Sequence, residues 1–320
     1  MFKRIVHSKW FGLVAGLFIV LLILPLFVPR FYVYILALIY VTALLAMSLN
    51  LVFGHGGMFQ FHHAVFYGVG AYTVALMLTK TSLPVWVGFI AGPIAAAIAG
   101  LVIGWFCVRL TRLYFGMLQI SLGSLIWAIV FRWYHFTGGD DGIHGIAMIP
   151  LLSSLNNSYY FILFIFVICQ IIYYLILKSP FGNTLQAIRD NPQRCEAIGI
   201  NVIRHQLFAI VISTFFAGIA GVLFVVLERS VFPDLLFWVL SLEICIMCLL
   251  GGMFTFAGPI LGAAIIVALR IFVGIFTEYW TLILGIILIP LIFFLPEGVM
   301  GYFQEIFKPR AREASRGDDR

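Results

Sequence analysis

Three histidines crowd one short stretch: His55, then His62 and His63. On a continuous helix the seven-residue interval puts His55 and His62 on one face, where two imidazoles could share a metal ion. No carboxylate or cysteine accompanies them, so lining an interface or a pathway is the expected role and no metal site is expected. Cys245 and Cys248 form a CxxC, but Ile, Met and Leu flank it and no histidine is near. Cys107, Cys169 and Cys195 complete the set. Most of the five sit in apolar runs, where a free thiol acts as a small hydrophobe. The chain contains no GxxxxGK[ST] phosphate loop, no HExxH and no GxSxG. ATP binding through a Walker loop and the chemistries of those motifs are therefore excluded. No catalytic residue and no cofactor is expected.

Two glycine-interrupted segments are more informative. The first runs Gly54-His55-Gly56-Gly57-Met58-Phe59-Gln60-Phe61-His62-His63-Ala64, and the second Gly251-Gly252-Met253-Phe254-Thr255-Phe256-Ala257-Gly258-Pro259. Both contain Gly-Gly-Met-Phe-x-Phe, one in each half of the chain. Paired glycine breaks in apolar segments point to a transporter's substrate site. Unwound backbone inside a membrane is tolerated only where it is buried in protein or lines a cavity. Candidate pathway residues are accordingly Gly56, Gly57, Gln60, His62, His63, Gly251, Gly252 and Thr255. Glycines also permit close helix packing, and from spacing alone the two readings stay open.

These residues need elements to hold them. Of 320 residues, 63% are apolar and 10% charged, whereas a soluble chain carries about a quarter charged. A soluble enzyme, a secreted disulfide scaffold and a disordered chain are excluded. At roughly 20 apolar residues per crossing, the composition allows about ten. Charge-free runs place spans near 11–29, 31–53, 64–79, 84–108, 113–131, 158–177, 207–227, 241–254, 259–277 and 279–296. The third and eighth are short and Gly-rich at one end, as broken or re-entrant segments are. The expected fold is thus all-α and polytopic, with about ten transmembrane or re-entrant helices and both termini cytoplasmic. Lys3, Arg4 and Lys9 precede a first anchor that lacks a cleavage site. The 19 Lys and Arg against 13 Asp and Glu reflect cytoplasmic loops, not a nucleic-acid partner. Arg109, Arg112, residues 178–206 and the tail fall inside. Residues 132–157 and 228–240 fall outside. Arg270 lies inside a span about 10 Å from its end at 1.5 Å per residue. Snorkelling to the outer surface is expected of it, with a buried ion pair as the other reading.

The internal loop 178–206 is punctuated like short helices. Thr184 to Asp190 is helix-permissive, with Leu185 and Ile188 on one side. Asn191-Pro192 fits an N-cap followed by Pro at the first helical position, and Gly199 fits the stop. Cys195 and Ile198, three apart, predict a small apolar face. A docking element has use for such punctuation. Residues 1–300 read as one transmembrane domain, with 301–320 as a cytoplasmic tail.

The chain resembles the inner-membrane permease subunits of branched-chain (hydrophobic) amino-acid ABC importers, the LivM type in particular, over nearly all of residues 35–300. The resemblance is carried by Ser48-Leu49-Asn50-Leu51 leading to Gly54, by Gly68-Val69-Gly70-Ala71-Tyr72 and by Leu113-Tyr114-Phe115. Further matches are Thr137-Gly138-Gly139 with Asp141-Gly142, Phe181-Gly182 through Ala187-Ile188-Arg189-Asp190-Asn191, Glu196 through Val202, and Gly251-Gly252 with Gly258 through Gly262. The block 181–202 looks like the family's ATPase-docking loop, which implies coupling roles for Arg189, Asp190, Asn191, Glu196 and Gly199. It also implies a second permease subunit, a different and related chain rather than a copy, two cytoplasmic ABC ATPase subunits and an external solute-binding protein, around a pore in bacterial inner-membrane lipid. One departure stands out. In the family pattern Gly-x-x-Gly-x-x-Ser-x-Gly-His-Ala, Gln60 replaces the serine and His62 the second glycine. Both are bulkier and add hydrogen-bonding groups, so specificity for leucine, isoleucine or valine does not carry over directly. Related importers handle other amino acids, short amides or urea.

The expectation is a translocation subunit of an ATP-driven importer for hydrophobic amino acids or a related small solute, working by alternating access. An ion-coupled secondary transporter is the alternative. It needs acidic residues at mid-membrane, and the spans hold only boundary positions such as Glu243.

Overall fold

A computed structural model describes residues 20–81, 83–110, 112–276, 279, 282–283, 285–286 and 298–307. Residues 11–19 of the first expected span, most of the span 279–296 and the tail from 308 lie outside the described residues. Eleven of the helices among the described residues are numbered in chain order. They are α1 (Arg30–Asn50), α2 (Ala64–Lys80), α3 (Val85–Cys107), α4 (Arg112–Arg132), α5 (Leu155–Lys178), α6 (Pro180–Asp190), α7 (Pro192–Ala197), α8 (Val202–Glu228), α9 (Trp238–Gly251), α10 (Gly258–Gly274) and α11 (Gly298–Phe307). A π-helical turn, Leu51–His55, extends α1.

Helices dominate because a lipid-buried backbone must satisfy its own hydrogen bonds. α1 with its π turn, α3, α4, α5 and α8 are long and apolar enough to cross a membrane. α2, α9 and α10 are shorter. Their 17, 14 and 17 residues amount to about 26, 21 and 26 Å of helix, against a hydrocarbon core of about 30 Å. The two segments expected to be broken are therefore the short helices α2 and α9, with irregular chain at 56–63 and 252–257 completing them.

α1 sits at the centre, nearly every residue from Tyr40 onward buried, with α5, α8, α9 and α10 around it. α2, α3 and α8 form a second tight group. A Cβ added at Gly70 would lie 2.6 Å from Gly218 O, and one at Gly218 would lie 2.6 Å from Ala96 Cβ. Backbones approach this closely only through small residues. Outward-facing side chains on α3 and α5 are large and apolar, Ile94, Ile98, Ile168 and Ile172 among them, as a lipid-facing surface requires.

The loops divide into two ends. Ile143 and Val231 exchange backbone hydrogen bonds of 2.9 and 2.8 Å, joining loop 132–157 to loop 228–240. Arg229, left-handed at φ 54, fastens the junction by donating from Nη2 to Leu152 O at 3.2 Å. α4 starts beside the 178–206 segment and ends in this loop cluster, so the two lie at opposite ends of the molecule.

Within 178–206 the caps form as expected. Asn191 Oδ1 accepts from Arg194 N at 3.0 Å, Pro192 opens α7, and Gly199 takes φ +88. α6 begins earlier than Thr184, at Pro180, where Ser179 caps it. The apolar face differs from expectation. Cys195 is buried with Ile188 and Val202, whereas Ile198 is 76% exposed. α7 ends at Ala197, so Ile198 falls on the cap and no longer follows the helical three-residue interval. Arg270 forms an ion pair: its Nη1 lies 3.5 Å from Glu243 Oε1, from a half-exposed side chain to a mostly buried one.

Candidate functional site

The two glycine segments meet. A Cβ at Gly54 would overlap Met253 O, so the first break touches the backbone of the second. Across this junction lies Arg189, at the end of α6. Its Nη1 donates to Gly54 O at 3.0 Å, and its guanidinium stands 5.0 Å from the ring centroid of Phe254. The same guanidinium pairs with Asp190 at 2.9 Å. Gly57, at φ +66, leaves room for the arginine stem, since a Cβ there would lie 2.6 Å from Arg189 Cγ. One side chain thus joins α6 to both breaks. A guanidinium suits the task because it donates in plane and stacks on an aromatic face at once.

Below this junction a cleft of about 810 Å³ opens between the first break and the α6–α7 segment. Gly56, Gly57, Arg189, Asp190, Asn191 and Glu196 line it, together with Met58, Phe59 and Phe115. Gly199 does not line it; its part is the turn that leads from α7 into α8. Five of the expected pathway and coupling residues therefore share one cleft wall with Arg189.

Gln60, His62 and His63 lie elsewhere, buried among helices. His63 is held from both sides. Its Nδ1 lies 3.1 Å from Gln60 Oε1 and its Nε2 lies 2.8 Å from the Ser48 hydroxyl oxygen, which itself donates to Leu45 O at 2.6 Å. Ser213 donates to Ser48 O at 2.5 Å, bringing α8 into the network. His62 points the other way, onto α4, where a Cβ at Gly123 would lie 2.5 Å from its ring. The chain between His55 and His62 is not helical, so the two share no helix face. The glycines interrupt the helix before the interval closes. Among the described residues no group of three potential metal ligands forms.

The second segment is built on backbone contact. A Cβ at Gly251 would overlap Gly258 O, and Gly252 takes φ +110, a region that penalises any side chain. Thr255 donates to Gly252 O at 2.9 Å and accepts from Gly258 N at 3.0 Å, closing the turn into α10. The first amide of α2 is treated alike: Ala64 N donates to Ser241 at 2.8 Å. Sequence reasoning missed Ser241, and it missed Gln119, a lone amide three residues after Gly116 and four before Gly123. That flanking by small residues was the available signal.

Comparison with known proteins agrees with this architecture. The family model described as the branched-chain amino acid transport system / permease component matches residues 31–292. The high-affinity branched-chain amino acid transport system permease protein LivM of Escherichia coli (strain K12) is 27% identical over 304 residues, covering 86% of this chain and 71% of its own. The probable branched-chain amino acid transport permease LivM of Methanocaldococcus jannaschii is 24% identical, covering 80% and 89%. A tyrosine transport system permease protein of Clostridioides difficile is 28% identical over 48% of this chain and 50% of its own. No solved structure matches. A match across most of the chain, on a fold of apolar helices with paired glycine breaks, places this protein in the branched-chain amino acid transport permease family, as a multi-pass bacterial membrane protein.

Proposed function

We propose that this chain is a translocation subunit of an ATP-driven importer for branched-chain or other hydrophobic amino acids, or a related small solute. The observation that carries the reading is Arg189, which ties the α6–α7 segment to both glycine breaks. A partner seated in the cleft beside Asp190, Asn191 and Glu196 would displace α6, and Arg189 would pass that displacement to Gly54 and Phe254. The segments 56–63 and 252–257 would then rearrange, opening a path past Gly56, Gly57, Gln60 and His62 toward Gly251, Gly252 and Thr255. His63, fixed between Ser48 and Gln60, orients the Gln60 amide within that path. Two ABC ATPase subunits are the partners on the cleft side. A second, related permease completes the pore, and an external solute-binding protein delivers substrate to the end formed by loops 132–157 and 228–240. No residue of this chain carries out covalent chemistry, and ATP hydrolysis belongs to the partners.

The test is uptake of labelled leucine in cells expressing the chain with its neighbouring transport subunits. Uptake that persists when an ionophore collapses the ion gradients, and stops when cellular ATP is depleted, supports the importer. Uptake that the ionophore alone abolishes would make the chain an ion-coupled transporter.

A further inference from the structure

α8 packs against both α3 and α5, and between those two helices a recess of about 440 Å³ runs along it. Val211, Phe215 and Ile219 of α8 form the floor, Ala97 of α3 one side, and α5 from Ile165 to Ile176 the other. Apart from the Cys169 thiol, every lining side chain is hydrocarbon. Ile168, Ile172 and Phe215 are exposed along its length, so it opens sideways from the helix bundle. One end is shut. Phe161, one turn before Ile165, meets Trp86 and Phe89 of α3 with ring centroids 6.2 and 5.8 Å apart. The other end points toward the 178–206 segment. Ile165 to Ile176 covers about 17 Å of helix and Val211 to Ile219 about 12 Å. Half of a hydrocarbon core about 30 Å thick is about 15 Å, so the recess is as deep as one leaflet. About 440 Å³ over that length is a cross-section of roughly 30 Å², against roughly 80 Å² for a helix about 10 Å across. A partner's transmembrane helix is too wide and too long for it. A single hydrocarbon chain entering from one leaflet fits.

Moving an acyl chain from the bilayer into such a recess gains no hydrophobic energy, because lipid tails are as apolar as its walls. Selection must come from the headgroup, and the open end supplies a charge. Arg204 lies seven residues before Val211 and eleven before Phe215, on the same face of α8, and is exposed. At 1.5 Å per residue it stands about 10 Å beyond Val211, within reach of a headgroup layer about 5–8 Å thick. The nearby carboxylates do not compete for it. Asp190 and Glu196 line the cleft with Val202, Ile203 and Gln206, on the opposite face of α8. Lys178 lies over the Tyr174 ring, on the far side of α5 from Ile165 and Ile172.

We infer that the recess between α3, α5 and α8 is a binding site for an anionic phospholipid, one acyl chain lying in the recess and the phosphate pairing with Arg204. The lipid belongs to the leaflet on the side of the 178–206 segment. This requires the membrane-spanning fold and is independent of the importer reading above.

The experiment reconstitutes the full chain in phosphatidylcholine vesicles holding a small fraction of photoactivatable lipid, either phosphatidylglycerol or phosphatidylcholine with a diazirine on one acyl chain. Cross-linked residues are mapped by mass spectrometry. Phosphatidylglycerol should label Ile165–Ile176 and Val211–Ile219 about fivefold more than phosphatidylcholine does, the equivalent of about 1 kcal/mol for one basic residue at the membrane surface. Arg204→Gln should bring the two lipids level. Ile212→Trp, which fills the recess, should cut labelling there several-fold with both lipids, while labelling at Ile90 and Ile94, elsewhere on α3, holds. Equal labelling by the two lipids in wild type overturns the inference, since the recess is then ordinary lipid-facing surface. A preference that survives Arg204→Gln overturns it as well, as does full labelling in an Ile212→Trp chain that melts like wild type. A recess labelled by neither lipid is covered by protein, and the inference fails. Because Arg204 is exposed, its replacement leaves the fold intact and decides the matter even if Ile212→Trp does not fold.

Discussion

Replacing Arg189 by methionine isolates the link between α6 and the glycine breaks. Methionine keeps most of the stem that lies against Gly57 and deletes the guanidinium. Two contacts are lost. The charged hydrogen bond to Gly54 O, 3.0 Å long and partly buried, contributes about 1.5–3 kcal/mol. The stacking on Phe254, at 5.0 Å on a half-exposed ring, adds about 0.5–1 kcal/mol. The ion pair with Asp190 is discounted, because that carboxylate is exposed and belongs to α6 itself. Together the link is worth roughly 2–4 kcal/mol, or a factor of about 30–700 in how strongly the breaks follow α6. The assay is ATP hydrolysis stimulated by the solute-binding protein in the assembled complex, read beside uptake. Arg189→Met should leave membrane insertion and assembly intact and reduce both readouts by at least about tenfold. Phe254→Leu should cost about two- to fivefold. The double variant should be little worse than Arg189→Met, because the ring has then lost its partner. Arg189→Lys should fall between, since an ammonium cannot donate in plane and stack together. Full coupling in Arg189→Met, or strictly additive losses in the double variant, would refute the transmission role.

Three further outcomes follow from the same geometry. Gly199→Val forces a β-branched residue to φ +88, costing about 1–2 kcal/mol through backbone strain alone; no neighbour lies within 4 Å of the added Cβ, so insertion should be normal while partner-stimulated ATP hydrolysis is lost. His63→Leu strands Gln60 Oε1 in a buried site and should lower stability by about 1–3 kcal/mol, visible as a melting temperature several degrees down in the purified complex, whereas Gly274→Ala, with open space around it, serves as a control that changes packing nowhere. A cysteine at Ser154, exposed beside the junction of loops 132–157 and 228–240, should react with an impermeant external thiol reagent, and cysteines at Ser8 and Ser315 should be shielded; external labelling of either terminal position would break the proposed orientation.

Much of this protein was legible without coordinates because the signals are local. An apolar run long enough to cross a bilayer is read directly from the chain, and α1, α3, α4, α5 and α8 all lie where such runs occur. The glycine breaks were equally visible, since Gly57 and Gly252 adopt backbone angles that other residues resist. The cap at Asn191 satisfies an amide only three residues away. Tertiary structure decided which side chains face one another. Arg189 meets Gly54 across 135 residues, and Glu243 pairs with Arg270. Gly123 finds its place against His62 only when α4 packs. The reason is the solvent. In water a helix shows by its polar stripe which face is outside, but lipid and protein core are both apolar, so a transmembrane helix carries little pattern to fix its rotation. Small residues then set the contacts, and their partners are known only once the backbones have met.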